Sequence, residues 1–358
     1  MIYSNAEIDV LKLSAWCKDL PADTENLPRA ATILLQKQGL IRTSRSGWSL
    51  RTAPAGYTLL QKAGFSYLPD KQYLGKSGAL LRRIRSAELA CFFWRYGADV
   101  FQTVPPAKRD AARFLPSFAL RRKSGVNVLG GTRLMGFYYT GAQTFVPYYL
   151  TPESGGICAN AERRTFQAES LACGGQPVVL YTGAGDLPDI LSVLFSKDAR
   201  REKNTADSYL DALEKFGCPA AVLPLNEDGM RQLRIIETPD YRQRILRVML
   251  GPDFAPPESR FADGKNRKTG EPFFVGIGCD VHRMLYTIRN SQKRTHIILL
   301  SGQLPAVQKI LRGQNAVLHP AEAELAEEIL ALPHALPTPD HAPFQTEKGE
   351  YLYAPPAG

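Results

Sequence analysis

The chemistry this sequence offers most plainly is recognition of a polyanion. Between residues 27 and 64 the chain reads LPRAATILLQKQGLIRTSRSGWSLRTAPAGYTLLQKAG. Arg29, Thr32 and Gln36 recur at three and four residues, so one helical face carries a guanidinium, a hydroxyl and a carboxamide. Those groups suit phosphates and base edges in a DNA major groove. Arg42, Arg45 and Arg51 follow closely and suit phosphates. Arg82, Arg83 and Arg85 open a later helix, where they either extend that surface or form a solvated face.

Catalytic constellations are weaker. Glu162, Glu237 and Asp280 are the candidate carboxylates for a nuclease-like Mg²⁺ site, but no Asp followed by Glu-x-Lys stands on a strand. Tyr138, Tyr139, Tyr148 and Tyr149 offer hydroxyls to a relaxase, which also needs a histidine cluster that the dispersed histidines do not spell; the tyrosines read as strand packing residues. The loops GAGD (183–186) and VGIGCD (275–280) each hold GxG, yet neither is GxGxxG nor a phosphate loop. Six cysteines without a CxxC pair read as reduced, mostly buried thiols and not a zinc cluster. No cofactor and no metal are expected, and the reading favours a binder over an enzyme.

The elements that must position these groups are legible from periodicity and punctuation. Ser4 with Glu7 makes a capping box for a helix over 5–18, with Ile8, Leu11 and Ala15 inward. Residues 21–25 read as a turn or a short second helix. The helix over 27–38 buries Leu27, Ala31 and Leu34 and stops at Gly39. A hairpin follows, 41–44 and 48–51 around Ser46-Gly47, with Trp48 and Leu50 sealing it onto a core. Thr52 caps a last helix with Pro54 in its first turn, and Gly64 ends it. Helix, helix, basic wing, helix is the layout of a winged helix-turn-helix.

The expected fold class is α/β, α+β overall: this winged helix, then a mixed-sheet α/β domain with the character of a degenerate nuclease. The boundaries read 1–70 for the winged helix, 71–124 for a basic helical connector, 125–332 for the α/β domain and 333–358 for a Pro-rich tail or surface-wrapping arm. The α/β domain opens with a hairpin over 130–150. Within it PVVLYTGAGDLP and HIILLSGQLP repeat one phrase: apolar strand, Thr or Ser, Gly, turn, Leu-Pro, helix. Residues 260–279 read as a second hairpin with KNRKTG at its tip.

Charge separates the same way. Residues 1–123 hold 20 Lys and Arg against 9 Asp and Glu, whereas the rest holds 24 against 26. A polyanion partner held by the first third produces such a split; a uniformly basic enzyme does not. No apolar run is long enough to span a bilayer, and the first residues do not read as a secretory signal or transit peptide. A cytoplasmic protein without membrane contact is expected.

GLI at 39–41, Thr52-x-x-x-Gly56, the arginine-rich helix at 82–85, GTRLMG at 131–136, LPLNEDGMRQL at 223–233 and the Asp280 strand carry a resemblance to a known family. Their order is similar to that of the replication-relaxation proteins of Gram-positive plasmids and integrative conjugative elements, over most of residues 1–330. The resemblance implies an N-terminal winged helix, a C-terminal α/β region sometimes described as nuclease-like, and a role in plasmid replication and relaxation of plasmid DNA. This chain departs from it in lacking a clear metal-binding carboxylate set. The expectation is a duplex DNA-binding protein of a mobile element, acting in replication, relaxation or conjugative transfer. Its expected partners are double-stranded DNA, replication or transfer proteins and, in a homodimer, a second copy. A metal-dependent nuclease and a winged-helix protein–protein adaptor are the alternatives.

Overall fold

A computed structural model describes residues 2–66, 77–104, 112–120, 132–152, 157, 159–172, 176–195 and 209–354. It is a mixed α+β fold in two compact units. One comprises Met1–Val104, Arg113–Ala119 and Pro337–Gly358; the other comprises Pro105–Ala112 and Leu120–Leu336. The helix read as part of a connector belongs to the first unit, and so does the Pro-rich segment from Pro337 onward.

Helix α1 (Asn5–Cys17) begins with the expected reciprocal cap: the Glu7 N–H donates to Ser4 Oγ at 3.3 Å and the Ser4 N–H to Glu7 Oε2 at 2.8 Å. Ile8, Leu11 and Ala15 are fully buried. Two first-turn N–H groups that no helix can satisfy internally find partners far along the chain. Asn5 N donates to Ala342 O at 2.9 Å and Ala6 N to Asp340 O at 2.7 Å. Tyr3 N to Leu352 O and Phe344 N to Tyr3 O fasten the arm further. The prolines of this segment suppress helix and strand, but its carbonyls remain strong acceptors.

Residues 21–25 form no helix, so the turn alternative is the one seen. The chain makes β1 (Leu20–Pro21) and a turn, then α2 (Arg29–Lys37). Strands β2 (Ile41–Thr43) and β3 (Ser49–Thr52) form the expected hairpin, and β1 adds antiparallel to β3, with Leu20 opposite Leu50. Helix α3 (Pro54–Lys62) has Pro54 at its start as expected, but its cap residue is Ala53. Thr52 stays in the strand, and its hydroxyl donates to Ser14 Oγ at 2.8 Å. Gly39, Gly47 and Gly64 adopt φ of +69°, +76° and +77°, the left-handed values that end the two helices and turn the hairpin. Helix α4 (Ser77–Arg95) packs against α1 and β1, its Ala87, Leu89, Ala90 and Cys91 are fully buried, and Phe93 stacks on Phe114 of β4 (Arg113–Pro116). The short helix α5 (Ser117–Leu120) follows.

In the second unit β5 (Gly136–Tyr139) and β6 (Gln143–Leu150) form the expected opening hairpin. The chain continues through α6 (Ala159–Ala172), β7 (Gln176–Gly183), α7 (Leu187–Phe195), α8 (Tyr209–Phe216), β8 (Ala220–Val222), α9 (Glu227–Glu237) and α10 (Tyr241–Leu250). β6, β7 and β8 are parallel neighbours. A second sheet holds β9 (Phe254–Ala255), β10 (Gly264–Asn266), β11 (Pro272–Val275), β12 (Thr295–Leu300) and β13 (Ala316–Ala321) in that spatial order. Its helices α11 (Val281–Arg289), α12 (Leu304–Ile310) and α13 (Ala323–Leu330) follow β11, β12 and β13. The KNRKTG tip joins β10 to β11, so the first strand of that hairpin is 264–266 and not 260–261.

The two halves of this unit share one plan: an antiparallel hairpin whose second strand starts a run of three parallel strands. The repeated phrase in the sequence sits on the middle parallel strand of each run, β7 in one and β12 in the other. Gln232 on α9 and Gln303 after β12 both donate to Ile277 O at 2.8 Å, which joins the halves through one buried carbonyl.

Candidate nucleic-acid interface

The buried residues of α2 are Ala31 and Leu35, with Leu27 buried just before the helix, and not Leu34, which is half-buried. That rotation keeps Arg29 exposed at the helix start and leaves Thr32 and Gln36 at the edge of the buried face. The Thr32 hydroxyl donates to Pro28 O at 3.1 Å. Gln36 Nε2 donates to Thr43 Oγ1 at 3.2 Å and so ties the helix to the hairpin. The cap residue Pro28 supplies no side-chain bond, and no acidic residue stands in the first turn.

The basic residues fall into two groups. Arg29, Arg42 and Arg45 are exposed, and their side chains make no hydrogen bond or ion pair with any described residue. Arg51, expected on phosphates, and Arg83, expected either to extend that surface or to sit on a solvated face, both turn instead to Asp19. Arg51 Nε meets Asp19 Oδ1 and Arg83 Nε meets Oδ2, each at 2.6 Å, while Ser49 Oγ donates to Oδ1 at 3.0 Å. Asp19 is 2% exposed, so its charge must be compensated inside the fold. Arg42 lies directly across from Arg51, a like-charged pair that would be unfavourable without that carboxylate. Arg82 and Arg85 are half-buried, and each has an interaction partner of its own. Trp48, expected to seal the hairpin, is 64% exposed: β3 starts one residue later, so Trp48 belongs to the turn while Leu50, the other expected sealing residue, is buried.

The candidate carboxylates of the second unit have structural partners. Glu162 is buried on α6 and accepts the Arg133 N–H at 3.0 Å. Burial first, and the nearby Glu162 charge second, push the Tyr148 hydroxyl well above its ordinary pKa. Asp280 caps α11 through Arg283 N at 3.1 Å and accepts Ala220 N at 3.2 Å. Burial raises its pKa, opposed by those two N–H groups and by Arg242 and Arg283. Glu237 is half-buried at the end of α9 and is likewise engaged. Asp263 escaped the sequence reading because FADGK looks like a surface turn. It is 4% exposed, accepts Val275 N at 2.8 Å and pairs with Arg283. A cavity of about 330 Å³ beside it is lined by Arg242, Tyr241 and Asp263, and by none of the three candidate carboxylates. Among the described residues no group of three or more His, Cys, Asp or Glu side chains gathers as a metal site would.

The GxG loops are packing devices. Asp186 N in the first donates to Asp189 Oδ2 at 3.2 Å. In the second, a Cβ on Gly276 would come within 3.0 Å of Ile297. The tyrosines at 138, 139, 148 and 149 are buried in the sheet. Two histidines do meet: His296 Nδ1 and His319 Nε2 lie 2.8 Å apart on adjacent strands, stacked beside Phe273. Among the described residues no helix is long and apolar enough to cross a membrane. Compared with protein-family models, curated proteins and solved structures, the chain matches none.

Proposed function

We propose that the first unit is a winged helix-turn-helix that binds duplex DNA, with α2 in the major groove and the β2–β3 hairpin as a wing along the backbone. One observation carries this reading. Arg29, Arg42 and Arg45 stand exposed and without described partners on the helix start and the hairpin, while neighbouring Arg51 is engaged by Asp19. A cation at a helix start opposes the helix dipole, a placement that a phosphate bound to the free first-turn N–H groups offsets. The working contacts in this proposal are Arg29 toward the groove and Arg42 and Arg45 on phosphates, with Gln36 holding the helix to the hairpin.

The wider role follows the resemblance noted in the sequence: a protein of a mobile element acting in replication, relaxation or transfer, with the second unit as its assembly region for partner proteins or a second copy. The nuclease alternative gains no support from carboxylates that cap helices and bind main-chain N–H groups. The test is fluorescence anisotropy with a random-sequence duplex. Affinity is expected to fall tenfold or more between about 50 and 200 mM salt. Absent or salt-insensitive binding would leave the protein–protein adaptor in its place.

A further inference from the structure

Trp48 is the largest apolar side chain on the hairpin, and it faces solvent. Trp16, by contrast, is buried between Phe101 and Phe118. The loop that presents Trp48 is firmly held. Ser44 N donates to Ser49 O at 2.7 Å, Gly47 N to Ser44 O at 2.9 Å, and Ser49 N to Ser44 Oγ at 3.2 Å. Ser44 Oγ and Ser46 Oγ are 3.0 Å apart. Gly47 at φ +76° makes the reversal possible. The four residues between Ser44 and Ser49 thus hold an indole and the Arg45 guanidinium at one tip, with their main chain already ordered.

We infer that Trp48 is a stacking platform for an unpaired base, and that the ligand of this tip is a duplex flanked by single-stranded DNA. The inference rests on the duplex-binding reading and specifies its substrate. An indole face accepts any base, and a neighbouring guanidinium holds the phosphate beside it. Entering an intact stack would require separating two base pairs, a cost of the same order as the gain from stacking one base. A single indole therefore gains little from continuous duplex. Where the bases are already unpaired that cost is absent, and the whole stacking gain appears as affinity.

The experiment compares a blunt duplex with the same duplex carrying a single-stranded arm, by anisotropy at fixed salt. Wild type is expected to bind the armed duplex about tenfold more tightly, within the range for one stacked base. Trp48→Ala should erase that preference while changing blunt-duplex affinity less than about threefold, and Trp48→Phe should keep most of it. The position is exposed, so both variants should melt with wild type. Equal affinity of wild type for both substrates overturns the inference and leaves duplex binding intact. So does an equal loss on both substrates in Trp48→Ala, which marks an indole inserted into continuous duplex. No binding to either substrate overturns the duplex reading and the inference together.

Discussion

Asp19 and Arg83 stand 64 residues apart in the chain and meet at 2.6 Å, with Arg51 on the other carboxylate oxygen. This ion pair separates arginines that hold the first unit together from arginines that face outward. Asp19→Ala is expected to destabilise the protein by about 3 kcal/mol, the usual result of stripping a buried pair of one partner. Urea unfolding followed by circular dichroism would measure it. An unchanged midpoint would mean that solvent already screens the pair.

The same division makes a prediction for binding. Replacing Arg29, Arg42 and Arg45 together with alanine should flatten the slope of log affinity against log salt by roughly 0.9 for each phosphate no longer neutralised. Their exposure predicts little change in melting temperature. Arg51→Ala should do the reverse, lowering stability and barely altering the slope. Equal slopes for Arg51→Ala and Arg42→Ala would contradict the assignment.

Gly229, in the LNEDGM segment, is fixed by a close approach. A Cβ there would sit 1.8 Å from Pro224 O, and the Gly229 N–H already donates to Asn226 Oδ1 at 3.0 Å. Backbone must shift for any side chain to fit, so Gly229→Ala should cost at least the ~1–3 kcal/mol typical of overpacking. A thermal melt of that variant with no loss would show that the β8–α9 turn relaxes freely.

Burial, and then the neighbouring His296, hold the His319 pKa below the ordinary histidine value. The unfolded chain therefore takes up this proton more readily than the folded one. The His319 contribution is complete above the unfolded value and declines as pH falls through it, near about 6.5. Other charges around the pair are Glu271, 3.3 Å from His296 Nε2, and Arg294, which acts on Glu271. Wild type should lose stability between neutral and mildly acidic pH, and His319→Phe, which keeps a ring beside Phe273, should show a flatter profile. Parallel profiles would assign the pH response to other groups.

Local chemistry was legible in the sequence, and long-range pairing was not. The Ser4–Glu7 cap, the left-handed glycines and the repeated strand–Gly–Leu-Pro phrase are decided by residues within a turn or two of one another. Asp19 resembles any helix-end acid until Ser49, Arg51 and Arg83 are folded around it. Trp48 shows how one residue of register decides a side chain's fate: strand alternation starting at 48 would have buried it, and alternation starting at 49 leaves it in the loop. His296 and His319 look dispersed because nothing in the spacing announces that β12 and β13 lie side by side.

The arm at 337–354 fixes the order in which the molecule can be completed. The second unit lies within the chain of the first, so the amides of Asn5 and Ala6 wait on carbonyls synthesised hundreds of residues later. On the ribosome, the unit begun first is therefore the unit finished last. A protease that clipped the chain near Pro337 would leave the carbonyls that hold the start of α1 on a separate fragment, with the second unit's own strands uncut.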